Sequence, residues 1–336
     1  MLTVLFLLAV GRTSFAATPW LTVRGNHIVD PNGKTVILRG LSVIDLGQQN
    51  VNSPSIYNVI DKITNTGDHS GGSPGWYPKV LRLPIVPGGV WSWTPNDGDK
   101  FYKNLLRPVV NYCERKGLYC IIDLHYVHDI DSTTASYASQ FWAYMAPKFA
   151  KEPNVIFEIY NEPINNKNGS DAANWGVVKS YEQKWVNGIR TSAPRNLIFA
   201  GTPQWSQILV PAVTNPLLGG NIVYVCHLYP GHWSMPWNVN QVSQSAPFIP
   251  IIMTEWGFNQ NSDALLNGTI ANYGRPLMKL DARYGIGWTA WCASNSWQPT
   301  MFNPDWKLAV GGNQMGGFVK DILYKLRKAN QPSVGH

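Results

Sequence analysis

The sequence predicts an α/β protein folded as a closed (β/α)8 barrel, and three observations carry the prediction. Eight short apolar runs of strand type alternate with stretches of helical spacing along the 336 residues, which implies parallel pairing by crossover. The runs are continuously apolar rather than alternating, as strands buried on both faces are. Charged residues make up only 14% and aromatic residues 12%, against roughly 25% charged in an average soluble domain. Such a chain must bury much of itself or bind something flat. Eight units favour closure over an open doubly wound sheet.

Before the first strand, residues 20–33 read as a small hairpin that caps the barrel bottom. The eight strands are expected at 37–41, 80–84, 119–125, 155–160, 197–200, 222–227, 251–255 and 287–291. Helices are expected between and after them at 55–65, 100–116, 135–150, 172–192, 205–213, 239–246, 263–283 and 314–328. In the second of these, Phe101, Leu105, Val109 and Tyr112 recur at the spacing of one helix face. No linker, repeat or appended module is visible, so residues 18–336 are expected to form a single domain.

Residues 2–10 are an apolar run, followed by Ser14-Phe15-Ala16-Ala17 with small residues at the spacing of a cleavage site. Residues 1–17 therefore read as a signal peptide, and the protein as secreted. The run is too short for a membrane span, which needs about 20 apolar residues, and no second candidate follows. The 27 basic and 20 acidic residues, net +7, are scattered without a cationic run. Neither nucleic acid nor membrane is an expected partner, and the chain is expected to act as a monomer. Cys113 and Cys120 flank a Lys-Gly turn at a separation that leaves a disulfide open, while Cys226 and Cys292 read as buried thiols. Sequons stand at Asn168 and Asn267.

In a barrel of this kind chemistry gathers at the C-terminal ends of the strands. Asp123 and His125 end the third strand, Asn161-Glu162-Pro163 the fourth, His227 and Tyr229 the sixth, Glu255 the seventh and Trp291 the eighth. Carboxylates after strands four and seven face each other across the barrel mouth. Glycoside hydrolysis needs that arrangement, with one carboxyl protonated for the leaving oxygen and one ionised for the anomeric carbon.

The run 155–163, Val-Ile-Phe-Glu-Ile-Tyr-Asn-Glu-Pro, resembles the acid/base signature of glycoside hydrolase family 5. Ile252-Met253-Thr254-Glu255-Trp256-Gly257 resembles its nucleophile strand. The likeness extends to Val80-Leu81-Arg82-Leu83-Pro84, Ile122-Asp123-Leu124-His125, His227-Leu228-Tyr229 and Trp288-Thr289-Ala290-Trp291. The resemblance implies a TIM barrel and a retaining enzyme without metal or cofactor. It implies Glu162 as general acid/base and Glu255 as nucleophile, with carboxyls about 5–5.5 Å apart. Asn161 would hold the sugar 2-hydroxyl, Arg82 and Tyr229 would bond Glu255, His125 and His227 would line the cleavage subsite, with His227 near the acid/base, and Trp291 would be the stacking floor.

Other readings compete. Glu158, within its strand, is left out of the site. Arg82 could simply neutralise a buried carboxylate, and Trp291 could be core. His128, Asp129 and Asp131, with His227 and His232, could suggest a metal site, but no His-x-His on the first strand supports one. Trp91, Trp93, Trp205, Trp233, Trp237, Trp256 and Trp297 could form platforms along a cleft, since sugar rings present apolar faces to flat side chains. The expected function is a secreted endo-β-1,4-glycanase acting on plant cell-wall polysaccharide. Motif wording around strands three and six tilts the substrate to β-mannan, with cellulose as the alternative. A barrel that binds carbohydrate without catalysis and a metal-dependent hydrolase are the readings from other classes.

Overall fold

The computed structural model describes residues 18–333 apart from 166 and 168. Residues 1–17 and Asn168, on which the signal-peptide and first sequon expectations fall, lie outside that set. The described chain opens on an antiparallel hairpin, β1 (Thr22–Arg24) with β2 (His27–Val29). Then come β3 (Arg39–Ser42), β4 (Val80–Ile85), β5 (Tyr119–Leu124), a short β6 (Val127–Asp129), β7 (Val155–Glu158) and a short β8 (Glu162–Ile164). They are followed by β9 (Ile198–Ala200), β10 (Ile222–His227), β11 (Ile251–Glu255) and β12 (Gly287–Ala290). Strands β3, β4, β5, β7, β9, β10, β11 and β12 form a closed barrel in that order, with every neighbouring pair parallel and β12 returning to β3. The fold is the predicted (β/α)8 TIM barrel.

Although the runs look uniformly apolar, the period of two is present in what each residue meets. Leu81, Leu83, Cys120, Ile122, Phe157, Tyr224 and Met253 face outward into the large core shared with the helices. Val80, Tyr119, Ile121, Ile156, Phe199, Val223, Val225 and Ile252 face inward and pack with Leu21 and Ile28 of the hairpin region. The hairpin thus closes the N-terminal end of the lumen, where apolar area is removed from water on both sides of the sheet.

Most expected helices are present, including Ile56–Ile63, Ser132–Phe149, Asp171–Ser192 and Met315–Lys325. The longest is capped by Ser170, which accepts from Ala173 N, and the helix after β6 by Asp131, which accepts from Thr133 N and Thr134 N. Two expectations are corrected. The helix expected at 263–283 is helical only from Ile270 to Tyr284, and the residues before it form a loop at the cleft rim. In place of a helix beginning at 205, Gln204, Trp205 and Ser206 take left-handed backbone angles, with φ of 53°, 57° and 57°. Regular helix resumes at Val210–Thr214. Nothing in Gln-Trp-Ser announces three left-handed residues, a conformation that disfavours side chains with a Cβ. All four cysteines, Cys113 and Cys120 included, are buried free thiols.

Candidate active site

Two residues beyond its inward apolar side chain, each of several strands places a polar one in the upper lumen. Arg82 of β4 is the centre of this layer and is wholly buried. Its Nε donates to Glu158 Oε2 at 2.8 Å and its Nη2 to Glu158 Oε1 at 2.9 Å. Nη1 donates to Glu255 Oε1 at 2.7 Å, and Nη2 also meets Asp123 Oδ2 at 2.9 Å and Asn161 Oδ1. A buried guanidinium must be paired, and its fixed fork here serves three carboxylates at once.

Glu255, at the end of β11, receives a second hydrogen bond from the Tyr229 hydroxyl, 2.9 Å to Oε2. Burial alone would raise its pKa. The charges of His227, Arg82 and His125 more than reverse this and hold it at about 2. It is therefore a carboxylate with both oxygens oriented. Tyr229 is shifted the opposite way, by burial and by Glu255, and stays a donor.

Glu162 stands on β8, which continues the chain past the end of β7 and pairs with β6 through Val127 opposite Glu162. Its backbone is tied down by Glu162 N donating to Tyr126 O at 3.0 Å and Asn161 N donating to Leu124 O at 3.1 Å. The Ser206 hydroxyl donates to Asn161 O at 2.7 Å from the left-handed turn. That turn can approach so closely because of Gly201, where an added Cβ would lie 2.2 Å from Tyr160 O. Burial and the negative charge of Glu255 push the Glu162 carboxyl above its ordinary pKa, although the hydrogen bond with His227 opposes them. One carboxylate oxygen each from Glu162 and Glu255 lies within 4.8 Å of the other. Two carboxyls thus share one space, one biased to keep its proton and one to lose it.

The cleft, about 480 Å3, is lined by His125, Asn161, Glu162, Tyr229, Glu255 and Trp291, with Trp205, His232, Leu265 and Gln298 at its sides. Trp291 stacks parallel to His125, ring centroids 5.4 Å apart, and lies 5.9 Å from the Arg82 guanidinium. His125 Nδ1 is 2.7 Å from Asp123 Oδ2, and Asp123 shifts its pKa upward against the effect of burial. Six of the eight residues singled out from the sequence therefore face the cleft. Arg82 and His227 do not: both are fully buried beneath it, and His227 meets the cleft residues Glu162, 2.8 Å from its Nδ1, and Glu255, 3.8 Å away.

Of the seven additional tryptophans, Trp205 lines the cleft and Trp297 tilts against Trp291 with centroids 6.1 Å apart. Trp237 is exposed, whereas Trp93 and Trp256 are core, and Trp91 and Trp233 pack against that core. Among the loop residues weighed as metal ligands, His128 is exposed, Asp129 pairs with Lys167 and Asp131 caps a helix. The trio Glu162, His227 and Glu255 has ligand atoms close enough for an ion. Both His227 ring nitrogens, however, are already engaged in hydrogen bonds, to Glu162 and to Thr254.

Glu158, Thr254 and Ser206 belong to the site's support without having been singled out. Glu158 was legible in principle. It stands two residues after inward Ile156, as Arg82 stands two after Val80, so a period-two count puts both on the lumen face.

Two carboxyls across a cleft, one pushed to keep its proton and one held ionised, at the C-terminal ends of a TIM barrel, make the arrangement that a retaining glycosidase requires. The chain belongs to the cellulase family, glycosyl hydrolase family 5, whose model matches residues 29–296. It is 31% identical over 317 residues to an endoglucanase of Clostridium saccharobutylicum, covering 93% of this chain and 63% of that protein. It is 29% identical over 324 residues to Endoglucanase 5 of Pectobacterium carotovorum subsp. carotovorum, covering 93% of this chain and 57% of that one. The chain thus spans less than two thirds of the length of these relatives. The beta-glucanase SdGluc5_26A from Saccharophagus degradans shares the fold with a TM-score of 0.78 at 23% identity, covering 92% of this chain and 94% of that one.

Proposed function

We propose that this protein is a retaining endo-β-1,4-glucanase that cleaves internal bonds of a neutral polysaccharide. The observation that carries the reading is the pair Glu162 and Glu255 facing one cleft with carboxylate oxygens within 4.8 Å, the first pushed above its ordinary pKa and the second held below it. In the first step Glu162 gives its proton to the leaving glycosidic oxygen while the Glu255 carboxylate attacks the anomeric carbon, forming a glycosyl ester. In the second, Glu162, now ionised, takes a proton from water, whose oxygen displaces Glu255 and restores both groups. Arg82 and Tyr229 keep Glu255 ionised and aimed. Asn161, whose Oδ1 is taken by Arg82 and whose Nδ2 donates one hydrogen to Tyr126 O at 3.4 Å, keeps a second amide N–H for the sugar 2-hydroxyl. Trp291 supplies the ring on which that sugar stacks.

The relatives named above are endoglucanases, which favours the glucan alternative over the mannan that the motif wording suggested. The apolar 2–10 run with small residues at 14–17 supports export, and a long polysaccharide is met outside the cell. Among the described residues no helix is long and apolar enough to cross a membrane.

The test is product mapping with the purified protein on carboxymethyl cellulose, glucomannan, mannan and xylan. Oligosaccharides of mixed length from the first two, with little from mannan, are expected. Faster release from pure mannan would establish the second substrate, and no cleavage of any polymer would overturn the reading in favour of a binding barrel.

A further inference from the structure

Behind the acid/base carboxyl lies a buried chain of hydrogen bonds to which no role has been assigned so far. Glu158 is fully buried, and its two oxygens accept from Arg82. Its Oε1 also accepts from Thr254 Oγ1 at 2.8 Å. Burial pushes the Glu158 pKa up, but Arg82 opposes this and donates to both of its oxygens, so Glu158 accepts and the single hydroxyl proton of Thr254 points to it. The oxygen of Thr254 then presents a lone pair to His227 Nε2, 2.9 Å away. Nε2 must carry a proton to use it. The other ring nitrogen, Nδ1, faces the carboxyl oxygen of Glu162 at 2.8 Å and Glu255 Oε2 at 3.8 Å. With Glu162 turning its unprotonated oxygen to Nδ1, both sides of the ring offer acceptors, and the form that satisfies both is the doubly protonated imidazolium.

We propose that Glu158 and Thr254 are positioning residues that hold His227 as an imidazolium, whose charge sets the pH range in which Glu162 and Glu255 work. The inference rests on the reading of Glu162 as acid/base. With Nδ1–H pinned to one oxygen of Glu162, the proton that Glu162 delivers stands on its other oxygen. No tautomer change is then needed as Glu162 alternates between acid and base. The charged and titratable groups around His227 are Glu162, Glu255, Arg82, His232 and, through Thr254, Glu158. A positive ring among them favours ionisation of both catalytic carboxyls.

The test uses Thr254→Val, which keeps the shape and removes the hydroxyl, with Thr254→Ser as the conservative restoration. The His227 ring is followed by nitrogen-15 NMR titration of the full chain, its signals assigned by their loss in His227→Gln. In T254V the His227 pKa should fall by about one unit or more, and both limbs of the kcat/KM profile should move to higher pH as the ring loses its charge. T254S should keep the wild-type titration and profile. Thr254→Ala gives the same readout if the valine does not fit. An unshifted His227 titration in T254V or T254A, or T254S behaving as T254V does, would overturn the proposal. Glu162→Gln is assayed in parallel on polysaccharide and on an aryl glycoside with an activated leaving group. Loss of kcat/KM on the polymer, with kcat/KM kept on the aryl glycoside while its kcat falls for want of the base, upholds Glu162 as acid/base. An equal effect on kcat/KM for both substrates overturns that assignment while leaving the NMR result to stand or fall separately.

Discussion

Five strands each send two successive inward side chains to the barrel lumen, and the lower and upper members of each pair differ in kind. The pairs are Val80 and Arg82, Ile121 and Asp123, Ile156 and Glu158, Val225 and His227, and Ile252 and Thr254. The lower members fill space with apolar surface, beneath which the hairpin closes the barrel. The upper members form one hydrogen-bonded ionic layer centred on Arg82. Two residues along the strand separate a layer whose loss should be felt in folding alone from one whose loss should be felt in chemistry, with Arg82, the shared cation, felt in both. Buried ion pairs of the upper kind are poor sources of stability, because desolvation offsets most of their attraction. Their presence points to function.

Variants of the two layers should separate these roles. The largest effect is expected for Glu255→Ala, with kcat/KM on polysaccharide lowered on the order of 10^4-fold or more, while Arg82 retains Glu158 and Asp123 as partners. Steady-state assay with a melting curve checks both halves, and retained activity would break the comparison. Arg82→Met is the upper-layer change that should also unfold the protein, since it leaves three carboxylates without their cation. A loss of about 3–5 kcal/mol in denaturant titration is expected. In the lower layer, Ile156→Ala should remove about 2–5 kcal/mol of stability through the cavity it leaves. Its kcat per folded molecule should stay at the wild-type value. The smallest effect is expected at the cleft side, where Trp205→Ala should raise KM several-fold, in line with about 0.5–1.5 kcal/mol for a ring contact, and leave kcat little changed.

The barrel was legible because eight apolar runs and their spacing are properties of the chain itself. Glu162 and Glu255 were legible because each follows such a run directly. The layer beneath them was less so. His227 was expected to line the cleavage subsite near the acid/base; it does stand beside Glu162, but only the three-dimensional arrangement shows it fully buried there. Glu158 looked like one residue inside a strand until its inward register placed it on Arg82. The turn at 204–206 could not be read from Gln-Trp-Ser, since beside its local bonds to Thr202 it is held by a contact distant in sequence, Ser206 to Asn161 O. Trp93 and Trp256 illustrate the same limit: flat rings serve cleft and core alike, and composition does not divide them.

The central claim is that Glu255 attacks the sugar while Glu162 assists. It is tested most directly by trapping the glycosyl ester with a 2-deoxy-2-fluoro-β-cellobioside bearing an activated leaving group, followed by peptide mass spectrometry. The predicted result is one equivalent of sugar on the peptide containing Glu255, with loss of activity in step with labelling. Labelling of Glu158 or Glu162 instead, or full turnover on cellulosic substrates with no covalent adduct formed, would contradict the account.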